Sequence, residues 1–193
     1  PPRSTPKPSS AASDVYKRQM GGTLAVNKIV FKHVEKTQKI IGLRLGPDDA
    51  YLITRGLRTL DVRLDKHQEN AKKVAAFLSK NKKVKLLYPY LKGSLNYKLW
   101  KKYYSGASGL LSLIIKSKSK NSVYKFVNSL ELFGIGYSWG GFESLAVYTD
   151  PIELGTRRYF KLEKNEHLVR LHIGLEDPKD LIEDLKRSLK FIR

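Results

Sequence analysis

The chain lacks cysteine altogether. That absence excludes disulfides, thiolate metal sites and a cysteine nucleophile, and it fits a reducing, cytoplasmic setting. No stretch approaches the roughly 18 apolar residues a membrane helix needs, so no membrane partner is expected. The four histidines, His33, His67, His167 and His172, share no metal-ligand spacing, and no metal is expected. Acid is also scarce: 18 Asp and Glu stand against 37 Lys and Arg, a formal charge of +19. Such an excess is what attraction to nucleic acid requires. The lysines, however, are scattered through segments that read as helices and turns, with no basic arm and no aromatic pair spaced for an RNA-binding sheet. A lysine-rich solvated surface is the better reading, and no nucleic-acid partner is expected. Lys116-Ser117-Lys118-Ser119-Lys120 reads as a solvated turn.

At 193 residues with 41% apolar content, the chain can bury the core of one or two small domains. Pro1 to Gln19 reads as a disordered, non-native tail, rich in proline and serine and without apolar periodicity. Ser10 to Gln19 resembles translated adaptor sequence, and no apolar core of a secretory signal follows the basic residues. Leu24 to Val30 predicts a strand and Phe31 to Leu43 a helix. Asp48 is placed to cap a helix that starts after Gly46-Pro47, and helical spacing continues to about Ser79, with a break expected near Gly56. Strands are predicted at Val84–Tyr88, Gly109–Ile115, Phe133–Ile135, Leu145–Tyr148 and Leu168–Ile173. Helices are predicted at Asn96–Tyr104, at Ser122–Leu130 and after Pro178, the last capped by Asp177 with Leu181, Ile182, Leu185 and Leu189 on one face. Strands and helices alternating irregularly in this way imply an α/β sandwich.

Two segments carry most of the functional information. The first, Tyr137-Ser138-Trp139-Gly140-Gly141-Phe142-Glu143-Ser144-Leu145, is a glycine-hinged turn with an indole beside a hydroxyl. The second, Leu168-Val169-Arg170-Leu171-His172-Ile173-Gly174-Leu175-Glu176-Asp177, alternates as a half-buried strand and breaks at Gly174. Leu168, Arg170 and His172 share one face, and Val169, Leu171 and Ile173 the other. A guanidinium, an aromatic wall and bare backbone suit a small anionic ligand. His172, on the strand face of Arg170, reads as a satisfied packing histidine, with a supporting place behind the site residues as the alternative. Glu143 and Ser144 read as a pair that stabilises the turn.

Together with Thr54-Arg55-Gly56-Leu57-Arg58-Thr59-Leu60, these segments resemble the C-terminal part of the trans-sulfuration family of pyridoxal-phosphate (PLP) enzymes. The form Ser-Trp-Gly-Gly-x-Glu-Ser-Leu is similar to its cystathionine β-lyase branch; γ-acting relatives usually carry leucine where Trp139 stands. The resemblance runs from about Met20 to Arg193. It implies an α/β protein of PLP-dependent transferase fold type I, aspartate aminotransferase-like. Residues 20–60 would end the cofactor-binding large domain, and residues 61–193 would form the C-terminal α/β sandwich domain. It also implies PLP as cofactor, an amino-acid thioether as substrate and a homotetramer built as a dimer of dimers. Arg170 would clamp the substrate α-carboxylate, with Ser138 near that carboxylate and Trp139 shaping the distal side. Arg55, Arg58 and Thr59 belong to a signature read as structural. The family's Schiff-base lysine lies in a Ser-x-Thr-Lys motif that does not occur here. The resemblance therefore implies a C-terminal fragment that is inactive alone. A γ-synthase or γ-lyase of the same family is the alternative.

Overall fold

Asn27 decides where the first helix begins. Its side-chain oxygen accepts a hydrogen bond from the Val30 amide at 3.1 Å, the N-cap interaction that satisfies an otherwise orphaned helix donor. Helix α1 (Lys28–Ile41) therefore starts inside the stretch expected to be a strand, and Leu24–Val30 forms no strand. The helix stops at Gly42, whose φ of 70° is left-handed and whose amide returns to the Gln38 carbonyl. These details come from a computed structural model that describes residues 24–149 and 160–192. The readings of Pro1–Gln19 and of Met20–Thr23 lie outside the described residues.

Helix α2 (Pro47–Leu57) opens on Pro47 behind Gly46. Asp48 is not its cap, because it lies inside the first turn, where its charge still favours the helix N-terminus. The expected long helix is divided by Arg58 and Thr59, two residues beyond Gly56, and resumes as α3 (Leu60–Leu78). The chain forms two compact units, the first ending at Asp61 and the second starting at Val62.

The second unit is built on one mixed sheet. Its strands are β1 (Val84–Leu87), β2 (Leu110–Lys116), β3 (Gly134–Ile135), β4 (Leu145–Thr149) and β5 (Glu166–His172). They lie in the order β1-β2-β5-β4-β3, antiparallel except for the β3–β4 pair. Between them come α4 (Tyr97–Tyr103) and α5 (Lys120–Asn128), and α6 (Pro178–Leu189) follows β5. Asp177 caps α6 by accepting from the Lys179 amide at 2.8 Å. Leu181, Leu185 and Leu189 of α6 are buried, as their spacing requires.

Strand alternation separates two environments. Val169, Leu171 and Ile173 are fully buried in a core shared with Leu113 and Ile115 of β2, Val74 and Leu78 of α3, Phe126 of α5 and Leu185 of α6. Helices α3, α5 and α6 thus cover one face of the sheet. The opposite face carries Arg170, flanked in register by Ser112 on β2 and Val147 on β4. Asp184 of α6, only 2% exposed, ties the chain entering β3 to this helix. Its carboxylate accepts the Glu131 and Leu132 amides at 2.9–3.1 Å and an N–H of Arg187 at 2.9 Å. Such bonds offset the desolvation of a buried carboxylate.

Two local expectations need correction. Ser144 pairs with Glu176 and not with Glu143: the Ser144 amide donates to one Glu176 carboxylate oxygen at 2.6 Å and its hydroxyl to the other at 2.9 Å. The same hydroxyl accepts from the Gly174 amide at 2.8 Å. A carboxylate accepts two donors readily, and Glu176 is close enough only because the chain turns back after β5. The stretch from Lys116 to Lys120 is not a purely solvated turn. Ser117 is 2% exposed and shares a 2.8 Å hydroxyl–hydroxyl bond with Ser122.

Gly174 marks the tightest point of this turn. A side chain there would collide with the Phe142 carbonyl oxygen and the Glu176 carboxylate, and would come within 2.7 Å of the Glu143 carbonyl carbon. Because two of these obstacles are backbone, relief requires the hinge to move away from β5. Gly174→Ala should therefore destabilise the second unit by about 1–3 kcal/mol or more, read as a lower denaturant midpoint. An unchanged midpoint would mean that the two segments are not held against each other.

Candidate functional site

The two segments singled out in the sequence meet at one place. Arg170 sits on β5, the middle strand, so its backbone is fixed by pairing on both sides. Its guanidinium lies against the turn that follows β3. Nη2 donates to the Tyr137 carbonyl at 2.5 Å, with the Ser138 carbonyl at 3.3 Å and the Gly136 carbonyl at 3.5 Å. The last is at the limit of a hydrogen bond. The Tyr137 ring stands 6.0 Å from the guanidinium carbon, at the outer limit of a cation–π contact. Ser138 meets Arg170 through its backbone carbonyl, with its side chain exposed, and Trp139 is half-buried. Burial lowers the Arg170 pKa from its ordinary value, but a guanidinium starts so high that it stays charged. Among the described residues, the bonds to Arg170 engage Nη2 only. The donors on Nε and Nη1 remain suited to a carboxylate.

Past Trp139 the turn is held by a second set of groups. Gly140 has φ of 79°, a left-handed conformation that suits glycine. Its amide donates to Nε2 of His172 at 3.1 Å, and its carbonyl accepts from Nη1 of Arg63 on α3 at 3.3 Å. His67, one helical turn after Arg63, has its ring centroid 4.9 Å from that of His172, and its Nδ1 is 2.8 Å from the Ile173 carbonyl. Asn70 completes the row by donating to the carbonyls of Gly174 and Glu176 at 3.0 and 2.9 Å. The first half of α3 is thus a polar brace across the end of β5.

These bonds dictate the tautomers. A carbonyl partner requires the proton of His67 on Nδ1. Nε2 of His172 lies 3.1 Å from the Gly140 amide and 3.3 Å from the Gly141 carbonyl; the shorter contact, from an amide that can only donate, favours a proton-free Nε2 and a proton on Nδ1. The expectation of an ordinary packing histidine holds for only one side of the His172 ring, since its Nδ1 and Nε2 of His67 are buried and have no hydrogen-bond partner among the described residues. Burial pushes His172 down to about 4, opposed by the Gly141 carbonyl and helped by smaller downward pressure from His67 and Arg170. Burial also lowers His67, helped by the charge of Arg63 and opposed by the Ile173 carbonyl and Glu176.

Arg63, His67, Asn70 and Glu176 were given no role from sequence. A signal was available for His67, since positions 67, 71, 74 and 78 form one stripe of α3 and all are buried. Polar residues on a core stripe mark partners waiting at long range. Arg55, Arg58 and Thr59 belong to the first unit.

Residues 16–190 match the family described as Cys/Met metabolism PLP-dependent enzyme. The chain is 40% identical over 171 residues to a cystathionine beta-lyase of Bordetella avium, covering 88% of this chain and 43% of that protein. It is also 40% identical over 157 residues to a mouse cystathionine gamma-lyase, covering 79% of this chain and 39% of that protein. A crystal structure of cystathionine gamma synthase from Xanthomonas oryzae, in complex with aminoacrylate and cysteine, superposes with a TM-score of 0.76 at 29% identity. That match covers 88% of this chain and 44% of the solved one. The chain thus spans less than half the length of the relatives it matches.

Because burial holds both rings neutral, unfolding releases imidazoles that take up protons the folded chain refuses. The stability from this source is fully present above 6.5 and is lost as pH falls toward the folded value of about 4 for His172. Urea midpoints should therefore be lower at about pH 5 than at about pH 7.5, and His172→Gln should narrow that difference. An equal difference in the variant would assign the acid sensitivity to other groups.

Proposed function

The chain belongs to the Cys/Met metabolism PLP-dependent enzyme family, and from that premise we propose that it is the C-terminal part of a carbon–sulfur lyase acting on cystathionine. The reaction is β-elimination, giving homocysteine, pyruvate and ammonia. One observation carries the reading: the Arg170 guanidinium is presented from a middle strand against the turn that bears Ser138 and Trp139. In this reading Arg170 binds the α-carboxylate through paired charge-assisted bonds, the geometry in which a lysine is a poor substitute. Ser138 lies near that carboxylate, and Trp139 forms the wall that shapes the distal end of the thioether.

The family is PLP-dependent. The residues around Arg170 offer an anion-binding guanidinium and backbone carbonyls, and no lysine amine is in described contact with Arg170. They do not form a seat for the cofactor, and no chemical step is assigned to them through it. Their work is to bind and orient. We place residues 20–60 at the end of the cofactor-binding large domain and residues 61–193 in the small domain. The same reading carries a chain inactive alone and, for the whole protein, a cytoplasmic dimer of dimers.

A γ-acting member of the family is the second reading, favoured by the equal identity to the mouse γ-lyase. Trp139 in place of leucine supports β-elimination instead. The full-length protein, supplied with cystathionine, should release pyruvate and homocysteine; release of 2-oxobutyrate and cysteine would establish γ-cleavage. Arg170→Lys in that protein should lower kcat/KM about a hundredfold, equivalent to roughly 2.7 kcal/mol. An unchanged kcat/KM would overturn the carboxylate role.

A further inference from the structure

Arg170 and His172 are neighbours on one face of β5, and both reach the same turn. Arg170 takes the carbonyls of Tyr137 and Ser138, which precede Trp139, whereas His172 takes the Gly140 amide, which belongs to the peptide that follows it. Arg63 holds the next peptide through the Gly140 carbonyl. The indole is therefore bracketed: the backbone on both sides of Trp139 is fixed by two side chains of a single strand.

We propose that His172, buttressed by His67, is a positioning residue that fixes the Trp139–Gly140 peptide and thereby the orientation of the Trp139 indole. The proposal deepens the reading of Trp139 as a wall of the substrate site and rests on that reading for its consequence in selectivity. Four observations support it. The His172 ring is 2% exposed, and its Nε2 faces the Gly140 amide. The left-handed Gly140 makes the turn dependent on its restraints, since glycine has the widest backbone freedom of any residue. The His67 ring packs against His172 while its own Nδ1 is held by the Ile173 carbonyl. Finally, Gly109 leaves room for the pair, since a side chain there would come within 3.1 Å of the His172 ring and collide with the Ile173 carbonyl oxygen.

Protonation sharpens the test. Adding a proton to Nε2 turns the acceptor for Gly140 into a donor, so that the Gly140 bond is lost and the new N–H is left to the Gly141 carbonyl, 3.3 Å away, a change of partner that moves the turn. The groups around the pair are Arg63, His67, Arg170 and Glu176. Three of these carry or gain positive charge, so a protonated His172 is poorly tolerated where it stands.

The experiment uses the 193-residue chain with Trp100→Phe, which leaves Trp139 as its only indole. In that background His172→Leu should shift Trp139 emission to the red and increase its quenching by acrylamide, with the far-ultraviolet circular dichroism unchanged. His172→Gln, whose amide oxygen can accept from Gly140, should restore both signals. In the unsubstituted ring, Trp139 emission should titrate in acid with the same midpoint as the His172 resonance followed by NMR. A folded His172→Leu chain with unaltered emission and quenching overturns the proposal, as does a His172→Gln chain as perturbed as His172→Leu. If His172→Leu does not fold, the titration decides, and a Trp139 signal that ignores the His172 midpoint overturns it. None of these readouts needs substrate or cofactor. Their failure would leave the carboxylate role of Arg170 standing, and failure of the Arg170→Lys assay would leave this bracket standing.

Discussion

The site depends on a weld between the turn before β4 and the turn after β5. Ser144 is its centre: it is fully buried, gives its amide and hydroxyl to the Glu176 carboxylate, and receives the Gly174 amide on the same hydroxyl. The Leu175 amide adds a backbone bond to the Phe142 carbonyl at 2.8 Å. Without Glu176, Ser144 would leave a buried donor unsatisfied, at a cost of about 1–3 kcal/mol. The cost of leaving these buried polar groups unpaired is thus what holds two otherwise independent turns together. Gly174 permits the approach and Asn70 fixes its carbonyl from the helix behind. Everything that reaches the guanidinium is positioned from this fixed base.

Charge plays a narrower part than the composition suggests. The excess of lysine is largely a property of the surface, where pairs such as Lys73 with Glu69 are half-exposed and contribute little. At the site the cations are arginines, Arg63 and Arg170, and both engage backbone carbonyls. A carbonyl holds a guanidinium in place without neutralising it, so Arg170 retains the charge an incoming carboxylate needs. A carboxylate partner in the same position would have cancelled it.

Much of the second unit was legible because its signals are local and periodic. The β5 alternation placed Val169, Leu171 and Ile173 in the core and Arg170 on the opposite face, and Asp177-Pro178 announced α6. The misses share another cause. Leu24–Val30 looks like a strand because it is apolar, yet the Asn27 cap starts a helix at Lys28, over its last three residues. Glu143 was assigned to Ser144 by adjacency, whereas the true partner lies 32 residues on. Arg63, His67 and Asn70 act across 77, 106 and 104 residues of chain. No spacing within the sequence encodes a partner at such separation. A single polar residue on a buried stripe says that a partner exists but not which one.

The use of a strand to hold the turn follows from its geometry. Residues two apart on a strand face the same way and lie about 6.6–7 Å from each other, about the length of chain that an amino acid with its two flanking peptides occupies. A pair such as Arg170 and His172 can therefore grip the backbone before and after one residue. Helical neighbours on one face are three or four apart and rise along a different line. The grip also requires that the register not slip, because a shift of one residue would present Val169 and Leu171 to the turn and bury the arginine in the core. An edge strand resists such a slip with one neighbour. Here β5 is paired along its whole length with β2 on one side and through Leu168–His172 with β4 on the other. The position of Arg170 in the middle of the sheet, more than any single contact it makes, is what turns an alternating pattern in the sequence into a fixed pair of restraints.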